Sequence, residues 1–426
     1  MQKANYAATH SHSRMQNTNT HELHVIWINK HADFVGGAER YIHDTVKALT
    51  EKGIKSTLLY QLDGAIHPRF THVFDSAYPI TDLKSQLKNH PANIIYLHQI
   101  DHVQDLETCI QSGIPSVRFY HDHKLFCLRE HKYTTIGLNT CQRRTGPACY
   151  TCLGFIGRNA QHKLTVNRLG NLGAQQNTNQ KLAGFIVGSQ YMSRVLKQHN
   201  FEVAKTHIIP LFTSFNTKFI KPSLPRNSHQ LLYVGSLSRG KGVDVLLRAI
   251  ASVDEQTHLL ICGEGPQKEE LQQLSKKLGI RTRVEFKGHC DTETLAKYYQ
   301  QVSALVIPSR TPETFCLTGI EALSHACPVI ATSVGGIPEW LQDGINGRLV
   351  NSNNICALSG AIRELLSHPK TTQNHALLAQ QRIIEQYSID THLCQLIQMF
   401  NHVLKKSSSH SITATSMTEG DCHVNH

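Results

Sequence analysis

Ala304-Leu-Val-Ile307-Pro308-Ser309-Arg310-Thr311-Pro312-Glu313-Thr314-Phe315-Cys316-Leu317-Thr318-Gly319-Ile320-Glu321-Ala322-Leu323-Ser324-His325-Ala326-Cys327-Pro328-Val329-Ile330-Ala331 reads as a strand, a turn, a helix and a second strand. The apolar run from Ala304 stops at a proline, and apolar residues then recur at helical spacing to about Ala326. A second apolar run, 329–331, follows Pro328 directly. That order in so short a span is a βαβ unit, and its two strands must run parallel. Glu313 falls in the turn and Glu321 eight positions later on the helix. A helix start presents free backbone N–H groups and the positive end of the peptide dipole, about half a charge, which suits a phosphate. With a diphosphate there, Glu321 comes within reach of a ribose and Glu313 of sugar hydroxyls.

The same alternation continues in both directions. Strands are expected at 231–234, 259–262, 284–286, 304–307, 329–331 and 347–350 in the second half, and at 24–28, 56–60, 93–97, 116–120 and 185–187 in the first. Strands recurring every 20 to 28 residues with helices between them call for parallel sheets. The fold class is therefore α/β, two Rossmann-like doubly wound domains facing across a crevice, with ligand beyond the carboxyl ends of the strands. The expected divisions are a disordered polar leader 1–21, a first domain 22–210 with an insertion at 124–160, a linker 211–229, and a second domain 230–388. A helix at 389–405, packing back across the linker, and a disordered tail 406–426 complete the chain.

Three further stretches stand in order on the second half: Val234-Gly235-Ser236-Leu237-Ser238-Arg239-Gly240-Lys241-Gly242, Cys262-Gly263-Glu264-Gly265-Pro266, and Phe286-Lys287-Gly288. With the run from Glu313 through Glu321 to Gly335-Gly336-Ile337-Pro338-Glu339, they resemble the donor site of the family-4 retaining glycosyltransferases, group 1, of GT-B fold. The resemblance implies donor contacts at Gly36, Gly37, Gly235, Arg239, Lys241, Gly263, Gly288, Phe315, Cys316, Leu317, Thr318 and Glu321. It implies catalytic roles for His121, Glu313 and Lys241, transfer with retention, and no metal needed for catalysis. Ser236 stands where many members carry an Arg that pairs with the diphosphate. Cys316 and Ala326 stand where small residues, often Gly, are usual.

The first half resembles the family's acceptor domain. Gly36-Gly37-Ala38-Glu39-Arg40 opens a helix, where glycines let the backbone come close to a phosphate or sugar. His98 and His121 each end a strand; His121-Asp122 matches the family's crevice histidine, and His98 is read as structural support. The resemblance makes the partners a nucleotide-diphosphate sugar and an acceptor, in the synthesis of a cell-surface polysaccharide, lipopolysaccharide or glycolipid. A nucleotide-sugar epimerase and a non-catalytic sugar-nucleotide binder are the alternatives; the intact Lys241, Glu313 and Glu321 argue against the second.

Charge adds a hint about the acceptor. The net charge is +11, and residues 131–200 hold nine Lys or Arg and no Asp or Glu. Such a region attracts an anionic acceptor or lipid headgroups, or else is a solvated face. It lacks the interleaved aromatics of nucleic-acid modules, so no nucleic-acid partner is expected. No apolar run reaches the roughly 18 residues of a membrane span, and the reading is cytoplasmic, at most peripheral at the membrane's inner face.

Four of the twelve cysteines, Cys127, Cys141, Cys149 and Cys152, fall directly after His121-Asp122. Cys149-Tyr-Thr-Cys152 has the spacing with which two thiolates bind one tetrahedral zinc, and the other two would complete a closed, structural site. The alternative is four reduced thiols packed as small hydrophobes.

Overall fold

The computed structural model describes residues 23–61, 66–100, 102–134, 136–158, 164–213 and 226–416. The expected leader 1–21 and most of the expected linker lie outside them. The first sheet is made of β1 (His24–Asn29), β2 (Lys55–Tyr60), β3 (Ser76–Pro79), β4 (Ile94–Leu97) and β5 (Ser116–Phe119). A short antiparallel pair, β6 (Ile156–Arg158) and β7 (Leu164–Val166), interrupts it before β8 (Gly184–Val187) and β9 (Thr206–Ile208). The second sheet holds β10 (Asn227–Val234), β11 (His258–Cys262), β12 (Val284–Gly288), β13 (Val302–Ile307), β14 (Val329–Thr332) and β15 (Arg348–Val350).

The strand orders are β3-β2-β1-β4-β5-β8-β9 and β12-β11-β10-β13-β14-β15, all parallel. In each sheet the order reverses beside the first strand, between β1 and β4 and between β10 and β13. A doubly wound sheet opens its ligand crevice at that switch point. Central strands are buried on both faces, as continuous apolar runs require: Val25 to Asn29 and Val302 to Ile307 are buried throughout. Trp27 sits at the heart of the first domain, stacked on His98 at 5.4 Å, with its indole N–H donating to Ser56 Oγ at 3.1 Å.

β3 and β9 were not expected from sequence. Both are short edge strands, Ser-Ala-Tyr-Pro and Thr-His-Ile, mostly half-buried and without an apolar run to mark them. The final helix, Ile389–Ser416, packs on the first domain, where Phe400 meets Tyr96 edge-on at 5.4 Å. It runs beyond 405, through the first eleven residues of the stretch expected to be disordered; the last ten lie outside the described residues. Among the described residues no helix is long and apolar enough to cross a membrane.

Candidate functional site

The turn after β13 is locked before it meets any ligand. Gly335 has a φ of +62°, and a Cβ there would strike the Glu313 backbone, so the 313 turn folds directly over it. Arg310 is buried and binds Asp244 through both terminal nitrogens, at 2.6 and 2.7 Å. It also donates to the Arg239 carbonyl at 2.9 Å, while its own N–H donates to the Gly240 carbonyl at 2.7 Å. A bidentate guanidinium fixes both position and angle. Arg310 and Asp244 thereby join the Lys241 loop to the Glu313 turn. Neither was picked out from the sequence; the only signal is a pair of opposite charges, one in each of two separated motifs.

That joint places Lys241 against Glu313, with Nζ donating to Oε1 at 2.8 Å and to Oε2 at 3.0 Å. Ser309 Oγ donates to the same carboxylate. Burial works against the Lys241 ammonium, but the Glu313 carboxylate more than offsets this and holds its pKa above the ordinary lysine value. The helix Leu317–Ser324 begins just beyond, at Cys316, whose φ of +76° is left-handed. Ala326, at the other end of that helix, is also left-handed, at +51°. These are the two positions where the resembling family often has Gly, and a side chain in that region costs of order 1 kcal/mol.

Glu321 lies on this helix, where Tyr299 OH donates to its Oε2 at 3.4 Å. Burial raises its pKa, and Arg40, reaching over from the first domain, lowers it. Arg40 NH1 donates to Thr292 Oγ1 of the second domain. It is a third residue that sequence reasoning passed over, although it stands next to Glu39 in the quoted motif. Gly37 faces Leu317, the first residue of the phosphate-type helix: a Cβ on it would lie 3.9 Å from Leu317 Cδ1. Gly235 and Gly263 directly follow β10 and β11, and Gly288 ends β12, with φ of +152°, +153° and +72°. A Cβ at Gly263 would collide with the Gly235 carbonyl, so the two loops lie in direct contact. Thr318 Oγ1 lies 3.5 Å from Cys316 Sγ, and Arg239 is exposed. Phe315 is different. Its ring is buried against Tyr387 at 5.5 Å, so only its backbone faces the site.

Across the crevice, His121 follows β5 and its ring stacks on Phe119 at 4.2 Å. His121 Nε2 lies 2.9 Å from His98 Nδ1. Burial pushes the His121 pKa down to about 3, helped by Arg118 and His392, and burial holds His98 well below its usual value. Both rings are therefore neutral near pH 7, and one donates its proton to the other. Thr314 Oγ1 donates to the His121 carbonyl at 2.9 Å, so the histidine and the Glu313 turn touch across the domain boundary.

The four cysteines of the insertion stand near one another, since Cys127, Cys141 and Cys152 all act electrostatically on Cys149. Among the described residues no three of His, Cys, Asp or Glu are disposed to hold an ion. Lys132 is buried beside the cysteines, its Nζ donating to the Arg143 carbonyl at 2.9 Å, and Cys141, Cys127 and Cys149 favour its charged form. The start of the segment is also tied down by packing, since Leu125, Phe126 and Leu128 are buried in the first domain's core.

Residues 214–382 match the family model described as glycosyl transferases group 1. A D-inositol 3-phosphate glycosyltransferase of Streptomyces coelicolor is 35% identical over 161 residues, 35% of each chain. An uncharacterized glycosyltransferase of Methanocaldococcus jannaschii is 32% identical over 162 residues, 38% of this chain and 41% of its own. The chain thus spans well under half the length of these curated relatives. Among solved structures, sucrose-phosphate synthase from Thermosynechococcus elongatus superposes with a TM-score of 0.69 at 20% identity, over 90% of this chain and 100% of its own. Anabaena HepE in complex with UDP gives 0.67 at 18% identity, over 89% and 100%.

Proposed function

We propose, because residues 214–382 match the glycosyl transferases group 1 model within a GT-B fold, that this protein transfers a sugar from a nucleotide diphosphate to an acceptor hydroxyl. The observation that carries the reading is the Lys241–Glu313 pair, held at the start of a helix and faced by His121 across the crevice. The diphosphate lies at that helix start, where the dipole and the Lys241 ammonium balance the charge that grows as the sugar leaves. Glu321 accepts from the ribose, and Glu313 orients the sugar through its hydroxyls.

Transfer proceeds with retention. The bond from the anomeric carbon to the diphosphate oxygen breaks, and the bond to the acceptor oxygen forms on the same face. The acceptor proton passes to the departing phosphate. Neutral His121 hydrogen-bonds near the reacting carbon and is not itself the base; a pKa near 3 makes it a poor proton acceptor at pH 7. No divalent ion takes part, since Lys241 and the helix dipole supply the charge that an ion otherwise would. The acceptor belongs to the building of a polysaccharide, lipopolysaccharide or glycolipid.

A panel of nucleotide sugars tests the reaction class, read as slow release of nucleoside diphosphate. An epimerase would instead convert the sugar nucleotide intact, and a sensor would bind without turnover. Glu321→Ala is expected to weaken UDP binding by about 1–3 kcal/mol, one charged hydrogen bond; unchanged affinity by calorimetry would contradict the ribose role. Turnover is also expected to survive dialysis against a strong chelator. Loss of activity, with recovery on adding magnesium or manganese, would sink the metal-free mechanism.

A further inference from the structure

A cavity of about 420 Å³ opens at the carboxyl ends of β1, β4 and β5, on the first domain's side of His121. Lys30 follows β1, His98 and His102 follow β4, and Arg118 to Asp122 close β5; the helix Leu169–Asn179 supplies the far wall through Gln175 and Asn179. Three cations line it, Lys30, Arg118 and Lys124, against two carboxylates, Asp122 and Glu130. Asp122 is engaged, its Oδ1 accepting from the Lys124 backbone N–H at 2.9 Å.

The guanidinium of Arg118 is built in. Its NH1 donates to Asn179 Oδ1 at 2.8 Å, an oxygen that also accepts from Tyr120 OH at 3.1 Å, and its plane lies near the Tyr120 ring. Its Nε is buried and has no hydrogen-bond partner. His98, 1% exposed and also lining the cavity, has no partner at Nε2. A buried donor left without an acceptor is costly, more so when the group is charged. Arg118 Nε is a donor in any case, and His98 Nε2 is one in the tautomer whose Nδ1 accepts from His121; an anion in the cavity would accept from both.

We propose that this cavity binds an oxyanion of the acceptor, a carboxylate or a phosphate ester, and so sets the acceptor's hydroxyl at His121. The inference rests on the glycosyltransferase reading and adds the chemical class of the acceptor to it. Because His121 lines both this cavity and the reaction crevice, a sugar ring anchored by its charged group here reaches the reacting carbon. A neutral sugar would leave Arg118 without its partner.

The experiment keeps the donor side filled. With UDP at saturation, binding of glucose 6-phosphate, glucuronate and glucose is measured by calorimetry. One or both anions are expected to bind at least ten times more tightly than glucose, and the tighter identifies the acceptor's group. Arg118→Gln and, separately, Lys124→Gln are each expected to weaken the anion at least tenfold with UDP affinity unchanged. Lys124→Gln serves as the second variant if Arg118→Gln melts early. Equal binding of glucose and the anions, or anion affinity unchanged in both variants, overturns the proposal. Failure of the wild type to bind UDP would instead strike the glycosyltransferase reading, and that arm is independent of the anions.

Discussion

Lys241→Ala is expected to lower kcat for transfer by about 10²–10³-fold, the loss found when one donor to a developing oxyanion is removed. The ammonium is held 2.8 Å from Glu313 and carried on a loop fixed by the Arg310–Asp244 pair, so it needs little rearrangement as charge forms. Lys241→Arg keeps the charge but not its shape and should recover part of the rate. The substitution also strips Glu313 of its counter-charge and leaves Ser309 as its remaining side-chain partner, so a modest drop in melting temperature is expected alongside. Rate and melting are therefore measured separately. A variant as active as wild type, in folded protein, would remove Lys241 from the mechanism.

Acidification is expected to destabilise the fold steeply below pH 6.5. Burial holds His121 at about 3 and His123 and His392 at about 4. In the unfolded chain each titrates near 6.5. Between 6.5 and about 4 the unfolded state binds protons that the folded state refuses, so stability rises with pH across that window and is lost as pH falls through it. Each histidine contributes up to about 1.4 kcal/mol per pH unit, so the three together remove up to about 4 kcal/mol by pH 5.5. Total stabilities of about 5–15 kcal/mol make that a large share. Glu321 works the other way, since its raised pKa lets the folded state take up a proton before the unfolded one. Urea unfolding at pH 7.5 and 5.5 measures the slope, and His392→Gln should reduce it. A flat profile would mean that these rings are not held neutral.

The second sheet was readable chiefly from its inner strands, since β11, β13 and β14 are apolar runs buried almost throughout. Edge strands such as β3 bury too little to leave a pattern. Two of the intended chemical partners, Lys241 and Glu313, could be named from motifs, but the Arg310–Asp244 clamp between them could not. It joins positions 66 residues apart in the chain, and no local period records such a contact. The length of the last helix was missed because Ser407 to Ser416, rich in Ser and Thr, carries no apolar stripe.

The carbonyls of the turn around Glu313 have a telling set of owners. Arg310 O accepts from Thr140, Pro312 O from His123, and Thr314 O from Ser189, all three donors belonging to the first domain. Asn353 answers from the second domain by donating to the Leu138 carbonyl. The turn is thus half built by its neighbour, and parting the domains would undress it. Under the proposed function, donor escape and loss of catalytic geometry would then be one event: a sugar nucleotide free to leave would be one that Glu313 and Lys241 no longer grip in reacting order. Idle hydrolysis would then be limited by the hinge itself, because the arrangement that admits bulk water is also the one that has come apart.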